Sequence, residues 1–168
     1  MSEEIKIYQY NPKWGESYEN QLKRVKKNIP GYIKCHFMHV GSTSIPGCFT
    51  SGDMDIAVGV VKATDLITVR DVLAANGFKY RPELSRLHHY VVTRAINETL
   101  TVKVRILQAG SPSWHEMYVF KNYLIRHNDV RDAYNSLRYN MTKIPNFSLE
   151  DYEKEKIKFQ RETVAKVK

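Results

Sequence analysis

The sequence predicts an α+β domain, with a mixed β-sheet formed early in the chain and helices before, within and after it. Three observations carry this prediction. Met54 to Val61 is almost uninterruptedly apolar, as in a strand buried on both faces. Thr101, Lys103 and Arg105 alternate with Val102, Val104 and Ile106, which is the period of a strand with one cationic and one apolar face. From Ser113 onward the apolar residues recur at helical spacing. A chain of 168 residues is long enough to bury a core as one domain spanning 1–168.

The elements follow in order. Ile5, Ile7 and Gln9 alternate with Lys6, Tyr8 and Tyr10, predicting a short edge strand. Asn11-Pro12 predicts a helix start with proline at the first helical position, and Trp14, Tyr18, Leu22, Val25 and Ile29 form its apolar face. Pro30-Gly31 ends it. Cys35 to Val40 reads as a strand, residues 41–52 as a Gly-, Ser- and Thr-rich loop, and Met54 to Val61 as the central strand. Thr64 or Asp65 is expected to cap a helix reaching about Ala75, stopped by Asn76-Gly77. Phe78 to Tyr80 reads as a short strand. His88 to Ala95 and Leu100 to Gln108 read as two strands joined by a turn at Asn97-Glu98. Three helices close the chain. The first starts near Pro112, with Trp114, Met117, Tyr118, Leu124 and Ile125 on its core face. The second carries Tyr134, Leu137 and Met141. The third is opened by Ser148 with Asp151 three residues on, and it carries Tyr152, Lys156 and Phe159.

Composition narrows the function. With 42% hydrophobic and 26% charged residues, the chain is neither disordered nor fibrous. Its net charge of +8 favours anionic partners, namely nucleotides, phosphorylated small molecules or nucleic acid, and equally serves solubility. Cys35 and Cys48 form no C-x-x-C pair and are expected as buried reduced thiols. Met1 to Tyr10, with Glu3 and Glu4, lacks the apolar segment of a secretory leader. No apolar run reaches the roughly 20 residues of a membrane helix. A soluble cytoplasmic protein is therefore expected.

The stretch from His39 to Ile56 carries the chemistry. Gly41 allows close backbone approach to an anion, and Ser42, Thr43 and Ser44 offer hydroxyls and amides to phosphate oxygens. Asp53 and Asp55, two apart at the start of a strand, point to one face. Paired carboxylates invite a divalent cation such as Mg²⁺, which could neutralise a triphosphate and orient attack at phosphorus. A Gly-Ser turn followed by a strand-opening D-x-D resembles the nucleotidyltransferase superfamily, which implies a nucleotidyltransferase-like mixed sheet flanked by helices, with a helical C-terminal part.

The resemblance becomes closer over the nine residues His39-Val40-Gly41-Ser42-Thr43-Ser44-Ile45-Pro46-Gly47, which are similar to the H-V-G-S-T-S-[VI]-P-G signature of the GrpB family. Tyr10-Asn11-Pro12-Lys13-Trp14, Asn76-Gly77-Phe78, Ser113-Trp114, Phe120 to Leu124, Tyr134 with Leu137-Arg138, and Tyr152 with Lys156 resemble further family motifs, so the likeness runs from about residue 5 to about 160. The sequence departs from the pattern in two places. Lys103-Val104-Arg105 stands where many members have H-x-H, and Lys121-Asn122 where the helix has Arg-Asp. The third carboxylate of a classical nucleotidyltransferase is also missing, since there is no acid between Leu100 and Glu116.

The first reading is therefore an enzyme. Asp53 and Asp55 hold Mg²⁺ and act catalytically. His39, Gly41, Ser42, Thr43 and Ser44, with Lys103 or Arg105, hold the phosphates, and a nucleotidyl group passes to an acceptor. The second is a binding module using the same cleft for a nucleotide, a phosphorylated ligand or an RNA end. The third is an adaptor with a vestigial site. A further carboxylate within about 5 Å of both aspartates would favour the enzyme, and its absence the binder. Elsewhere the plainer readings prevail. His39 is expected to position its loop rather than to touch phosphate. His88 and His89 point to opposite faces of a strand, and His115 and His127 lie on helix surfaces. Trp14 and Trp114 are core anchors. Lys23, Arg24, Lys26 and Lys27 form a solvated helix face, and the mixed charges from Glu150 to Lys168 form ordinary helix pairs.

Overall fold

The structure, a computed structural model, describes residues 4–167. Met1 to Glu3 and Lys168, read above as part of the acidic N-terminus and the mixed-charge tail, lie outside the described residues. Five strands form one mixed sheet: β1 (Cys35–Val40), β2 (Asp53–Val60), β3 (Lys79–Tyr80), β4 (His89–Ala95) and β5 (Thr101–Gln108). Their spatial order is β1-β2-β5-β4-β3, with β2 and β5 parallel and every other pair antiparallel. Five helices accompany them: α1 (Trp14–Asn28), α2 (Leu66–Ala74), α3 (Pro112–Arg126), α4 (Asn128–Met141) and α5 (Leu149–Lys166).

The strand period sorts the sheet into two faces. Met54, Ile56, Val58 and Val60 of β2, with Val102, Val104 and Ile106 of β5, pack against Tyr18, Leu22 and Val25 of α1 and Leu66, Val69 and Leu73 of α2. This is the main core, and it explains the apolar run of β2. The opposite face carries Asp53, Asp55, Ala57 and Gly59 of β2 beside Thr101, Lys103, Arg105 and Leu107 of β5. Trp114 and Met117 of α3 cover one end of it, over Val40, Ala57 and Leu107. Trp114 lies so close to Gly59 that a Cβ there would meet its ring at 2.8 Å. A third cluster ties Ile45 and Cys48 of the loop after β1 to Phe120, Leu124 and Tyr134 in the C-terminal helices.

Several sequence expectations need correction. Ile5 to Gln9 form no strand; a single antiparallel bridge joins Tyr8 to Thr50, with no partner strand beside it to extend along. Helix α1 begins at Trp14, and Pro12 sits in the turn before it, where Asn11 Oδ1 accepts from the Lys13 amide at 2.9 Å. Asp65, not Thr64, occupies the N-cap of α2 but makes no side-chain capping hydrogen bond, because the helix is entered through a 3₁₀ turn over Ala63–Asp65. On α3, Tyr118 and Ile125 are exposed, because the buried face follows Met117, Phe120 and Leu124 at helical spacing. Ser148 does cap α5, its Oγ accepting from the Asp151 amide at 3.0 Å. Both cysteines are free thiols, with Cys48 buried and Cys35 half-buried.

Candidate functional site

The parallel register sets Asp55 beside Lys103 and Ala57 beside Arg105, so the side chains meet on diagonals. Lys103 Nζ donates to Asp53 Oδ2 at 3.0 Å, and Arg105 Nε donates to Asp55 Oδ1 at 3.0 Å. Asp55 and Lys103 are only 8% and 9% exposed, while their partners Arg105 and Asp53 keep about a third of their side chains open, so these pairs are partly shielded from water. Burial alone would raise Asp55; Arg105 and Lys103, with a smaller contribution from Lys156, outweigh it and hold the carboxyl below its ordinary range. The two aspartates therefore share a face, as their spacing predicts, and each is neutralised by a cation from β5.

Gly41 sits directly against this pair. Its φ of 74° with ψ −174° is backbone that almost only glycine adopts. A Cβ at this position would overlap Asp55 Oδ2. The anion that the glycine approaches in this structure is Asp55 itself. The following 3₁₀ turn, Ser42–Ser44, is internally braced. Ser44 Oγ donates to the Gly41 carbonyl at 2.6 Å, and Thr43 Oγ1 shares a hydrogen bond with His39 Nε2 at 2.8 Å. Ser42 Oγ has no protein partner among the described residues. The His39 ring belongs to the α1 side, stacked on Tyr18 at 4.3 Å with its plane only 4° away. Burial, then the nearby Lys121, push its pKa down to about 4 against a weaker pull from Asp55, so it is neutral at pH 7. Of the turn residues, Gly41 and Ser42 border the aspartates, while His39, Thr43 and Ser44 brace the turn.

The C-terminal helices fix the same segment from the other side, through residues that sequence reasoning missed. Lys121 Nζ donates to the His39 carbonyl at 2.8 Å. Asn135 on α4 accepts from the Phe49 amide at 2.7 Å and donates to the Gly47 carbonyl at 3.0 Å. Arg131 donates to the Pro46 carbonyl, and the fully buried Arg138 donates to Cys48 Sγ and to the Tyr152 hydroxyl. The available signal was the polar stripe of Arg131, Asn135 and Arg138 on the helix turn that also carries Tyr134.

The donor set does not fit Mg²⁺ as arranged. Mg²⁺ requires a near-octahedral oxygen shell at about 2.0–2.1 Å. Here each aspartate already gives one oxygen to a cation, and two cations occupy the β5 positions facing them. Among the described residues no group of three His, Cys, Asp or Glu side chains could hold a metal. What the arrangement does provide is oriented donors. Lys103 has two N–H groups beyond the one on Asp53, and Arg105 uses only Nε, leaving its terminal nitrogens free.

Comparisons with known proteins agree with this architecture. The family model described as GrpB protein matches residues 4–166. The UPF0157 protein SCO7215 of Streptomyces coelicolor is 26% identical over 149 residues, covering 89% of this chain and 76% of that protein. The crystal structure of conserved protein GrpB from Enterococcus faecalis superposes with a TM-score of 0.80 at 20% identity, over 96% of this chain and 98% of that one. A Cid1 poly(U) polymerase structure with Mg 3′-dATP bound shares the fold at a TM-score of 0.53 and 15% identity, over 79% of this chain and 42% of the polymerase. No described helix is long and apolar enough to cross a membrane.

Proposed function

This chain belongs to the GrpB family, and on that premise we propose that the sheet face around Lys103 and Arg105 is a binding site for a nucleotide or other phosphorylated ligand, in a module that binds without metal-dependent transfer. The observation that carries the reading is the pairing of each aspartate of the D-x-D with a cation of β5. In this reading Asp53 and Asp55 orient Lys103 and Arg105, and those cations present their remaining N–H groups to phosphate oxygens, the lysine as a point charge and the arginine as a fork. Gly41 and Ser42 border this surface at one edge, with the Ser42 hydroxyl available as a donor. His39, Thr43 and Ser44 contribute by holding the turn. The fold shared with a nucleotide-bound poly(U) polymerase supports a nucleotide or an RNA end as the ligand class.

The test is a thermal-shift series of nucleoside triphosphates with and without Mg²⁺, on the wild type, Lys103→Met and Asp55→Ala. A ligand at 100 times its Kd adds about 2.7 kcal/mol, which is on the order of 5–10 °C for a chain of this size. The expected result is a shift without Mg²⁺ that Lys103→Met abolishes. No shift with any nucleotide overturns the reading. A shift that strictly requires Mg²⁺ and vanishes in Asp55→Ala overturns the metal-free form and restores Mg²⁺ on Asp53 and Asp55 with nucleotidyl transfer.

A further inference from the structure

At the end of the sheet face away from Asp53, His89 is 7% exposed, and both of its ring nitrogens are buried with no hydrogen-bond partner among the described residues. A buried, unpaired polar atom costs about 1–3 kcal/mol, so two on one ring need a reason. Their surroundings are cationic. His89 and Arg86 exchange backbone hydrogen bonds at 2.9 and 3.0 Å across the turn formed by Leu87 and His88, which puts their side chains on the same side. His88, at φ 62°, makes that turn. The Arg86 side chain reaches over to the first turn of α3, where Nη2 donates to Ser113 Oγ at 2.6 Å. Two positions along β5 from Leu107, the residue paired with His89, stands Arg105. Burial first, then Arg105 and Arg86, hold the His89 pKa down to about 4, so the ring is neutral with one N–H to give. Among the described residues Arg86 has no carboxylate partner, and Arg105 meets Asp55 through Nε alone. Glu116, the acid on the adjoining part of α3, accepts from Gln160, and Glu83 pairs with Arg81.

We propose that Arg86 and His89, with the charge of Arg105 nearby, form a second oxyanion-binding site, taking a phosphate or carboxylate group under the first turn of α3. The Arg86 side chain closes the site. Its residue is exposed, and turning it outward breaks one side-chain hydrogen bond, the one to Ser113. An oxyanion then accepts from the Arg86 guanidinium and from the imidazole N–H, with Arg105 adding its charge, which ends the isolation of His89. The site goes beyond the reading above and borders Arg105 without using its terminal nitrogens, so it can stand or fall alone.

The test is NMR of the imidazole nitrogens in the whole chain, with His89 identified by the signals lost in His89→Phe. Sodium phosphate, sodium acetate and sodium chloride are titrated at equal ionic strength into the wild type, Arg86→Met and Ser113→Ala. The expected result is a saturable movement of the His89 signals with phosphate or acetate and not with chloride, whichever oxyanion acts being the one the site takes. Arg86→Met, an exposed position whose change spares the core, should weaken it about tenfold or more, as loss of a charge-assisted hydrogen bond does. Ser113→Ala should leave it intact or tighten it, because it frees Arg86. His89 signals that stay still with both oxyanions, that move equally with chloride, or that respond equally in Arg86→Met overturn the proposal and leave His89 as a core residue. Nucleotide thermal shifts read the other surface, so the two failures are distinct.

Discussion

Replacing Gly41 with alanine probes the closest contact in the candidate site. The cost has two parts. Backbone at φ 74° and ψ −174° is disfavoured for any residue with a Cβ, by about 1–3 kcal/mol. The new methyl would also overlap Asp55 Oδ2 and lie 3.0 Å from Asp55 Cγ. That carboxylate cannot simply step aside, because Arg105 holds its other oxygen at 3.0 Å; forcing it costs about 1–3 kcal/mol, as overpacking does. The expected total is about 2–6 kcal/mol, a large share of a domain's stability. Asp55→Ala separates the parts. It removes the overlapping oxygen and leaves Arg105 able to reach water, so Gly41→Ala in that background should cost the backbone part plus a small remainder from the Cβ still 3.2 Å away. Urea unfolding of the four proteins in the cycle, with unchanged m, gives the coupling. An equal cost of Gly41→Ala in both backgrounds, within about 0.5 kcal/mol, would refute the idea that the glycine is required by the carboxylate.

Two further predictions concern stability. His39 and His89 both have folded pKa values of about 4, below the ordinary 6.5. Between those values the unfolded chain binds more protons, so stability is complete above pH 6.5 and falls as pH drops toward 4, by an order of 3 kcal/mol per histidine. Urea unfolding at pH 7, 5.5 and 4.5 should show this slope, and His89→Phe should remove about half of it; a flat profile would contradict the burial of both rings. Ser148→Ala deletes the cap on α5 and should cost about 1 kcal/mol, with Ser148→Asp restoring most of it in the same measurement.

Strands β1, β2 and β5 were legible because alternation and apolar runs are local consequences of which faces are covered, and the nine-residue signature located the Gly-Ser turn. The shared face of Asp53 and Asp55 followed from the strand period alone. Their partners could not be read the same way. That Lys103 meets Asp53 and Arg105 meets Asp55 depends on the β2–β5 register, which no local pattern specifies. The grip of Asn135 and Arg138 on residues 47–49 joins positions 86 to 90 apart and leaves only an unexplained polar stripe in the sequence. The missing strand at Ile5 to Gln9 shows the opposite failure. Its alternation is real, but a strand needs a partner edge, and the one bridge at Thr50 has none to extend along.

The parallel pairing of β2 with β5 also bears on how the protein comes into being. The chain leaves β2 at Val60, builds α2, β3 and β4, and returns at Thr101 to lie beside where it started. The two ion pairs thus join residues fifty apart in sequence. Contacts of such long range arrive only after the entropy of closing the intervening loop has been overcome, which places them among the slow events of folding. On the ribosome, Asp53 and Asp55 emerge well before their cations and wait in water until β5 is made. The candidate site is thus assembled by closure of the sheet, and no fragment ending before β5 can contain it.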